Sequence, residues 1–252
     1  MALAVDPSKY GFLNPHDAVA ISFWIISIAM VAATVFFLME STAVSYHWKT
    51  SMNVGSLVTL VAAVHYFYMR EFWVLIHGSP ILYRYIDWSI TVPLQMVEFY
   101  LILSAVQPNL GGGMFWRLLL GTVWMLAWGY MGESGTMYGL MGPGIGCFIA
   151  FILGLSGWFY ILAEIFSGEA GQVAASGNVN KHVAASFKTM RFIVTVGWSI
   201  YPLGYFLGYL CGAVASAPLN LVYNLADVIN KIAFCLAIWN SARNSTLEGG
   251  RF

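Results

Sequence analysis

Long stretches without a charged residue dominate this chain of 252 residues. Residues 18–39 and residues 50–69 contain no Asp, Glu, Lys or Arg. About 20 apolar residues in a helix span the hydrocarbon core of a bilayer, which is about 30 Å thick. Strands of a membrane barrel would instead give short segments of alternating hydrophobicity. The uncharged stretches therefore predict an all-α integral membrane protein.

The composition excludes several other classes of protein. Only 9% of the residues are charged and 60% are hydrophobic, with 11 Lys and Arg against 11 Asp and Glu. A soluble domain carries about 25% charged residues, so this chain is too apolar for a disordered chain or an ordinary cytosolic enzyme. It lacks the basic face of a nucleic-acid-binding protein. The three cysteines lack the spacing of metal ligands, so we expect no metal site.

Charged residues and turn signals divide the chain into seven predicted spans of one membrane domain, residues 1–252. The sixth and seventh spans are separated by a turn-like segment, residues 212–218, that contains Gly212 and Pro218. The approximate helices are 18–40, 52–74, 81–106, 115–132, 138–166, 186–212 and 219–242. The expected fold is a seven-transmembrane-helix bundle in the cell membrane, either the plasma membrane or a bacterial inner membrane.

The distribution of Lys and Arg predicts the orientation of this bundle. One set of loops and termini holds Lys49, Arg117, Lys181, Lys188, Arg191, Arg243 and Arg251. The opposite set holds Lys9, Arg70 and, near its edge, Arg84. Because basic residues accumulate on the cytoplasmic side, we expect the N-terminus outside the cell and the C-terminus in the cytoplasm.

Five charged residues fall inside the predicted spans: Arg84, Asp87 and Glu98 in the third, and Asp227 and Lys231 in the seventh. A charge inside the bilayer costs several kcal/mol, so such residues are candidates for function. Asp87 and Glu98 are eleven residues apart, which is close to three helical turns and about 16 Å along one face. A purely structural alternative is that these residues form buried ion pairs that hold the helices together.

Lys231 is the residue that this structural alternative explains least well. It lies at mid-span, where its side chain cannot easily reach the membrane surface. A buried lysine readily loses its proton, and the neutral amine attacks carbonyl groups. This chemistry suits a Schiff base with an aldehyde. The protonated Schiff base would be a fixed cation that needs carboxylate partners, and Asp87 and Asp227 are available.

Four segments resemble the proteorhodopsins and the related xanthorhodopsins, which are microbial rhodopsins of type 1. The third span contains RYIDWSITVPLQMVE at residues 84–98, and the seventh contains NLADVINKI at residues 224–232. The sixth contains GWSIYPLGY at residues 197–205, and the fourth ends in GYMGESG at residues 129–135. The resemblance extends over nearly the whole chain.

The resemblance implies a light-driven outward proton pump that binds all-trans retinal as a Schiff base to Lys231. It implies that Asp87 is the proton acceptor, Asp227 the second counterion and Glu98 the cytoplasmic proton donor. Thr91 completes the Asp–Thr–Glu pattern of the family's proton pumps, whereas its sodium pumps carry Asn–Asp–Gln.

Two further residues are expected to act on the acceptor. Arg84 should favour the ionised form of Asp87. In the family a histidine on the second helix hydrogen-bonds the counterion, and His65 occupies the matching place. A structural role for His65 remains the alternative.

The resemblance also implies an aromatic binding site for the polyene and a colour. The expected retinal-binding residues are Lys231, Trp88, Gln95, Trp198, Tyr201, Pro202 and Tyr223. Gln at position 95 goes with blue absorption in the proteorhodopsins, so we expect a blue-absorbing pigment. Ser89 stands where many relatives have Leu, a second departure with a possible effect on colour.

Other positions give weaker indications. Glu133 is a candidate for a proton-release pathway, with a solvated loop carboxylate as the equal alternative, and Glu164 and Glu169 are expected at the surface. Some relatives bind a carotenoid antenna through a glycine gap in the fifth helix. That position falls on Phe151, so we expect no antenna.

Two rival functions share part of this pattern. A sensory rhodopsin would use the same chromophore for signalling and often lacks a donor carboxylate, so Glu98 argues against it. An unrelated seven-helix receptor or enzyme would have no reason to place Lys231 one turn after Asp227. The resemblance further implies a homo-oligomer, a pentamer or a hexamer.

Overall fold

The structure, a computed structural model, describes residues 12–107 and 110–249. These residues form a bundle of helices with no strand among them, which confirms the predicted all-α class. Lys9 and Arg251, which enter the predicted charge count, lie outside the described residues.

Seven long helical segments make up the bundle within these ranges. They are α1 (Ala18–Glu40), α2 (Lys49–Ile76), α3 (Ile81–Ser104), α4 (Gly113–Glu133), α5 (Pro143–Phe166), α6 (Lys181–Leu210) and α7 (Ser216–Gly249). All except the 21-residue α4 are long and apolar enough to cross a membrane. The total of seven crossings and the orientation in the membrane stay predictions.

Asp17 starts the first helix and ties it to the second. Its carboxylate accepts hydrogen bonds from the backbone N–H groups of Val19 and Ala20, at 3.1 and 3.0 Å. Such an N-cap satisfies backbone donors that have no partner inside the helix. The indole N–H of Trp73, near the end of α2, donates to the same carboxylate at 3.0 Å. One side chain therefore fixes α1 against α2 at this end of the bundle.

Glycine allows α4 and α5 to approach closely. A methyl group at Gly157 would lie 2.8 Å from the backbone N of Met125 and 2.9 Å from the carbonyl O of Gly121. Backbone atoms cannot yield as a flexible side chain can, so this contact requires glycine. Small residues at such contacts are typical of packed membrane helices.

Some helix ends differ from the predicted ranges. The predicted fifth helix begins at residue 138, whereas α5 begins at Pro143. A short helix, Tyr138–Met141, precedes it and is separated by Gly142, whose φ of +80° interrupts the helix. The seventh continues to Gly249 rather than ending at residue 242.

Short π-helical turns interrupt α6 and α7. In α6 they cover Ile193–Gly197 and Phe206–Leu210, and in α7 the turn covers Ile229–Ala233. A π turn inserts one extra residue into the helix and frequently marks a functional site. Lys231 lies in the middle of the α7 turn, so the most unusual charge of the chain sits on a deformed backbone.

Candidate functional site

The Nζ atom of Lys231 lies between two carboxylates at the centre of the bundle. It is 2.5 Å from Asp87 Oδ2 on α3 and 3.0 Å from Asp227 Oδ2 on its own helix. At most 2% of each of the three residues is exposed. With Arg84, which is equally buried, two cations and two anions balance, which reduces the cost of removing them from water.

Arg84, which we expect to favour the ionised form of Asp87, is held by residues of α7 and α2. Its Nη2 donates to Asn220 Oδ1 at 2.9 Å and to Asn224 Oδ1 at 3.1 Å. Its Nη1 reaches the hydroxyl of Tyr66 at 3.5 Å. Among the described residues no ion pair joins Arg84 to Asp87. Arg84 is thus linked to the central charges through Tyr66.

The two carboxylates have different surroundings. Asp227 accepts hydrogen bonds from the hydroxyls of Tyr66 and Tyr201, at 2.6 and 2.5 Å, and has a longer contact of 3.4 Å to Trp88 Nε1. Among the described residues the carboxylate of Asp87 bonds to Lys231 through Oδ2, and its buried Oδ1 has no hydrogen-bond partner. Hydrogen bonds stabilise a charged carboxylate. Asp227 is therefore the more firmly held anion.

The side chains of Thr91 and His65, two residues expected to act with Asp87, hydrogen-bond to backbone carbonyl groups. Thr91 is fully buried, and its hydroxyl donates to the carbonyl O of Asp87 at 3.0 Å. His65 is half-buried, and its Nδ1 is 2.8 Å from the carbonyl O of Val61. None of the described hydrogen bonds joins His65 to Asp87, so its effect on the acceptor stays a prediction.

Glu98 is isolated from the central charges. It is 1% exposed, and neither carboxyl oxygen has a hydrogen-bond partner among the described residues, although Ser51 lies beside it. The ring of the next residue, Phe99, packs against Phe187 of α6 and Phe234 of α7. A buried carboxyl group without a partner costs far less when neutral than when charged. Glu98 is therefore suited to carry a proton.

A cavity with mainly apolar and aromatic walls lies beside Lys231, which is one of its lining residues. Trp88, Gln95, Trp198, Tyr201 and Pro202 line it, as expected for retinal-binding residues. Further apolar walls come from Val92, Met125, Leu126, Phe151, Leu155 and Trp158. These residues fit a long conjugated hydrocarbon joined to the lysine amine.

Tyr223, predicted as a retinal-binding residue, is not among the lining residues. It lies behind the cavity wall, with its ring 5.6 Å from that of Tyr201 and 6.1 Å from that of Trp88. Its hydroxyl donates to the carbonyl O of Tyr201 at 3.1 Å. Tyr223 therefore supports two lining residues from outside.

The two residues considered for colour have different locations. Gln95 is 2% exposed and lines the cavity, and its Nε2 donates to the carbonyl O of Asn230 at 2.9 Å. Ser89 is exposed on the outer face of α3, and its hydroxyl bonds to Ile86 of the same helix. Of the two, only Gln95 can contact a molecule in the cavity.

Phe151 and Glu133 contribute to the wall of the cavity away from α7. The ring of Phe151 stacks on Tyr205 with centroids 5.2 Å apart, so a large side chain fills the predicted antenna position. Glu133 is 7% exposed and accepts a hydrogen bond from Tyr85 at 2.9 Å, so the solvated alternative is wrong.

The expected surface location of Glu164 is wrong. Glu164 is 7% exposed, and both of its oxygens accept from the guanidinium of Arg117, at 2.8 and 3.1 Å. Glu169, whose side chain is 36% exposed, bonds to the same guanidinium at 2.6 Å. The three residues join the start of α4 to the end of α5 and to the short helix Glu169–Ala175.

The sequence interpretation missed several polar residues around the central charges. Four polar residues follow one another on α7 at spacings of four, three and four residues: Asn220, Asn224, Asp227 and Lys231. One face of the helix is therefore polar between residues 220 and 231. This spacing could have indicated from sequence that the two asparagines belong to the site. Tyr66 gave no such indication, because a tyrosine among apolar residues is ordinary.

The described residues contain no cluster of three or more His, Cys, Asp or Glu side chains that could hold a metal ion. The candidate site is therefore organised around an amine and carboxylates, with an apolar cavity beside them.

Comparisons with known proteins agree with this site. Residues 17–245 match the family described as bacteriorhodopsin-like protein. The chain is 46% identical to the green-light absorbing proteorhodopsin of gamma-proteobacterium EBAC31A08 over 243 residues, which is 96% of this chain and 93% of the relative. It is also 46% identical to the blue-light absorbing proteorhodopsin of gamma-proteobacterium Hot 75m4, with the same shares covered.

A solved structure gives the same result. The crystal structure of the blue light-absorbing proteorhodopsin from Med12 is similar with a TM-score of 0.75 and 44% identity, covering 91% of this chain and 100% of that chain. The fold and the site define a multi-pass membrane protein of the microbial rhodopsin class. The chain belongs to the bacteriorhodopsin-like family, and its predicted resemblance to the proteorhodopsins is confirmed.

Proposed function

We propose that this protein is a light-driven pump that exports protons and uses all-trans retinal bound to Lys231. It is a transporter rather than an enzyme. The observation that carries the proposal is the position of Lys231 Nζ, between two buried carboxylates and beside a mainly apolar cavity. Its similarity to proteorhodopsins supports the same function.

Retinal joined to Lys231 as a protonated Schiff base supplies light absorption and an isomerisation that changes the position and acidity of the proton on Nζ. Asp87 receives this proton, because its Oδ2 lies 2.5 Å from Nζ. Asp227 remains the anion, since the hydroxyls of Tyr66 and Tyr201 stabilise its charge. The difference in hydrogen bonding supports Asp87 as the acceptor.

Glu98 returns a proton to Lys231 Nζ from the other side. Its position three turns along α3 from Asp87 separates acceptor and donor by about 16 Å. Phe99 and its aromatic neighbours enclose the donor. A neutral, enclosed carboxyl group holds its proton until Nζ becomes the better base.

Arg84 belongs to the exit side of the site in this scheme. Its contacts with Asn220, Asn224 and Tyr66 fix the guanidinium close to the central anions without neutralising Asp87. Thr91 holds the backbone at Asp87, and His65 modulates the acceptor from α2. The distribution of Lys and Arg supports an orientation with this side outside the cell, in a bundle of seven crossings.

The absorption is proposed to lie in the blue. The chain is equally identical to one green-absorbing and one blue-absorbing proteorhodopsin, so the overall identity does not decide the colour. The deciding feature is Gln95, a polar side chain in the cavity wall that bonds to the backbone next to Lys231. Phe151 at the antenna position supports retinal as the single chromophore.

A sensory rhodopsin with the same chromophore is the alternative, and no contact in the described residues favours it over a pump. The presence of Glu98 favours the pump. A homo-oligomer, pentameric or hexameric, is proposed from the family resemblance alone.

The proposal is tested by illuminating cells that express the protein with all-trans retinal, with and without a protonophore. We expect external acidification that the protonophore abolishes. Asp87→Asn should retain colour and lose the pH change, whereas Glu98→Gln should retain colour and pump more slowly. Coloured cells without any pH change would support the sensory alternative. Colourless cells that contain folded protein would contradict retinal attachment at Lys231.

A further inference from the structure

Asn230 occupies an unusual place next to Lys231. It lies in the π-helical turn of α7, is 2% exposed and lines the cavity. Its carbonyl O accepts from Gln95, while its side-chain amide faces α6. The proposed pump mechanism assigns no role to this amide.

The contacts of the Asn230 amide establish which way it points. Its Nδ2 is 3.1 Å from the carbonyl O of Gly197 and 3.1 Å from the hydroxyl O of Tyr201. A backbone carbonyl only accepts hydrogen bonds, so the part of the Asn230 amide that faces the Gly197 carbonyl O must be the NH₂ group. One N–H therefore goes to Gly197 and the other to Tyr201.

This arrangement determines the direction of the Tyr201 hydroxyl. The Tyr201 oxygen accepts from Asn230, and a hydroxyl has a single proton to donate. That proton is left for Asp227 Oδ1, 2.5 Å away. A chain of directed hydrogen bonds therefore runs from Asn230 through Tyr201 to the second counterion.

The backbone of α6 makes the anchoring carbonyl accessible. In a regular helix the N–H of residue 201 would bond to the carbonyl of Gly197. Here the N–H of Tyr201 donates to Trp198 O at 3.1 Å, and Pro202 has no N–H. The carbonyl group of Gly197, at the end of a π-helical turn of α6, thus faces the π-helical turn of α7.

We infer that Asn230 is a positioning residue, which rests on the proposed function. Its amide, anchored on Gly197, holds the Tyr201 hydroxyl as a donor to Asp227 and thereby sets the charge distribution around Lys231. Hydrogen bonds in such chains strengthen one another in a low-dielectric interior. The two π-helical turns are thereby coupled through one side chain.

Gly197 provides an independent way to disturb Asn230. A methyl group built on Gly197 would overlap Asn230 Oδ1. Gly197 does not line the cavity, so Gly197→Ala displaces the amide without changing a residue that contacts retinal. Asn230→Leu removes the amide itself and keeps a similar volume.

The test compares absorption spectra of Asn230→Leu and Gly197→Ala in the wild-type and Tyr201→Phe backgrounds. A Tyr201 hydroxyl that has lost its hydrogen bond from Asn230 disperses less of the negative charge on Asp227. The carboxylate of Asp227 then stabilises the cation at Lys231 more strongly in the ground state. Both variants should therefore shift the absorption maximum to shorter wavelength. The shift should disappear in the Tyr201→Phe background. Ser199→Ala, whose hydroxyl bonds only within α6, is the matched control and should not shift it.

A second readout uses the retinal-free protein. Asn230→Leu and Tyr201→Phe should each lower the thermal midpoint, and the double variant should lose less than the sum, because they share one hydrogen bond. Colourless wild-type protein would refute the proposed function and leave this readout valid. Two results would overturn the inference. One is an absorption shift of Asn230→Leu that persists in the Tyr201→Phe background while Gly197→Ala causes no shift. The other is a double variant whose loss of thermal midpoint equals the sum of the losses of the two single variants.

Discussion

At the scale of single residues, the partners of a side chain decide its function more than its type does. Asp87 and Asp227 have the same side chain and both contact Lys231. Two tyrosine hydroxyls bind Asp227, whereas none of the described residues binds the second oxygen of Asp87. On the proposed function, this difference favours Asp227 as a fixed charge and Asp87 as the proton acceptor.

Tyr66 connects Arg84 to Asp227 and should be important for stability. Tyr66→Phe removes a buried hydrogen bond of 2.6 Å to a charged group, which is worth about 1.5–3 kcal/mol. We expect a lower thermal midpoint of the purified protein. The matched control is Tyr68→Phe, since Tyr68 is exposed on the same helix and should tolerate the change. Equal midpoints for the two variants would contradict the importance of this bond.

Gln95 should control colour from within the cavity. Gln95→Leu removes the polar group that bonds to Asn230 beside the lysine, and the family pattern predicts a shift to longer wavelength. Ser89→Leu introduces the residue common in relatives on the exposed face of α3 and should leave the spectrum unchanged. Absorption spectra of the two variants check this directly, and a larger shift from Ser89→Leu would refute it.

The charged residues within the spans could be predicted from sequence, because a charge in an apolar run is conspicuous. Lys231, Asp87, Asp227 and Glu98 all stood out for that reason. The partners of Arg84 could not be predicted, because they depend on how α2 and α7 face α3. The orientation of the Asn230 amide depended on the same unknown packing.

At the scale of helices, apolar runs predicted where helices exist but not where their backbones deform. The π-helical turn at Ile229–Ala233 cannot be read from the spacing of apolar residues, and Asn230 within it contacts α6 and α3. Similarly, the start of α5 at Pro143 depends on the positive φ of Gly142. These local deformations place the functional side chains.

The contact between Arg117 and Glu164 should stabilise the start of α4 against the end of α5. Glu164→Gln replaces a buried carboxylate that binds the guanidinium with both oxygens, at a cost of about 1–2 kcal/mol. For a chain of this size that lowers the thermal midpoint by roughly 2–8 °C. Glu248→Gln, in an exposed ion pair with Lys181, is the control and should leave the midpoint unchanged. An unchanged midpoint for Glu164→Gln would show that the pair contributes nothing to stability.

At the scale of the whole molecule, the buried charges form a path with two distinct ends. The central group of Arg84, Asp87, Asp227 and Lys231 has no net charge, and Glu98 lies apart from it on α3. The proposed acceptor, Asp87, and the proposed donor, Glu98, are therefore about three helical turns apart along α3. The central claim is that the proton leaves Nζ toward Asp87 and returns from Glu98.

Flash spectroscopy of the retinal-bound protein tests this claim most directly by following the return of the proton to Lys231 across a range of pH. With an internal donor, the rate in the wild-type protein should not depend on pH. In Glu98→Gln the proton must come from bulk water, so the rate should fall about tenfold for each added pH unit, while Glu248→Gln should behave as wild type. A pH-independent return in Glu98→Gln would contradict the assignment of Glu98 as the donor.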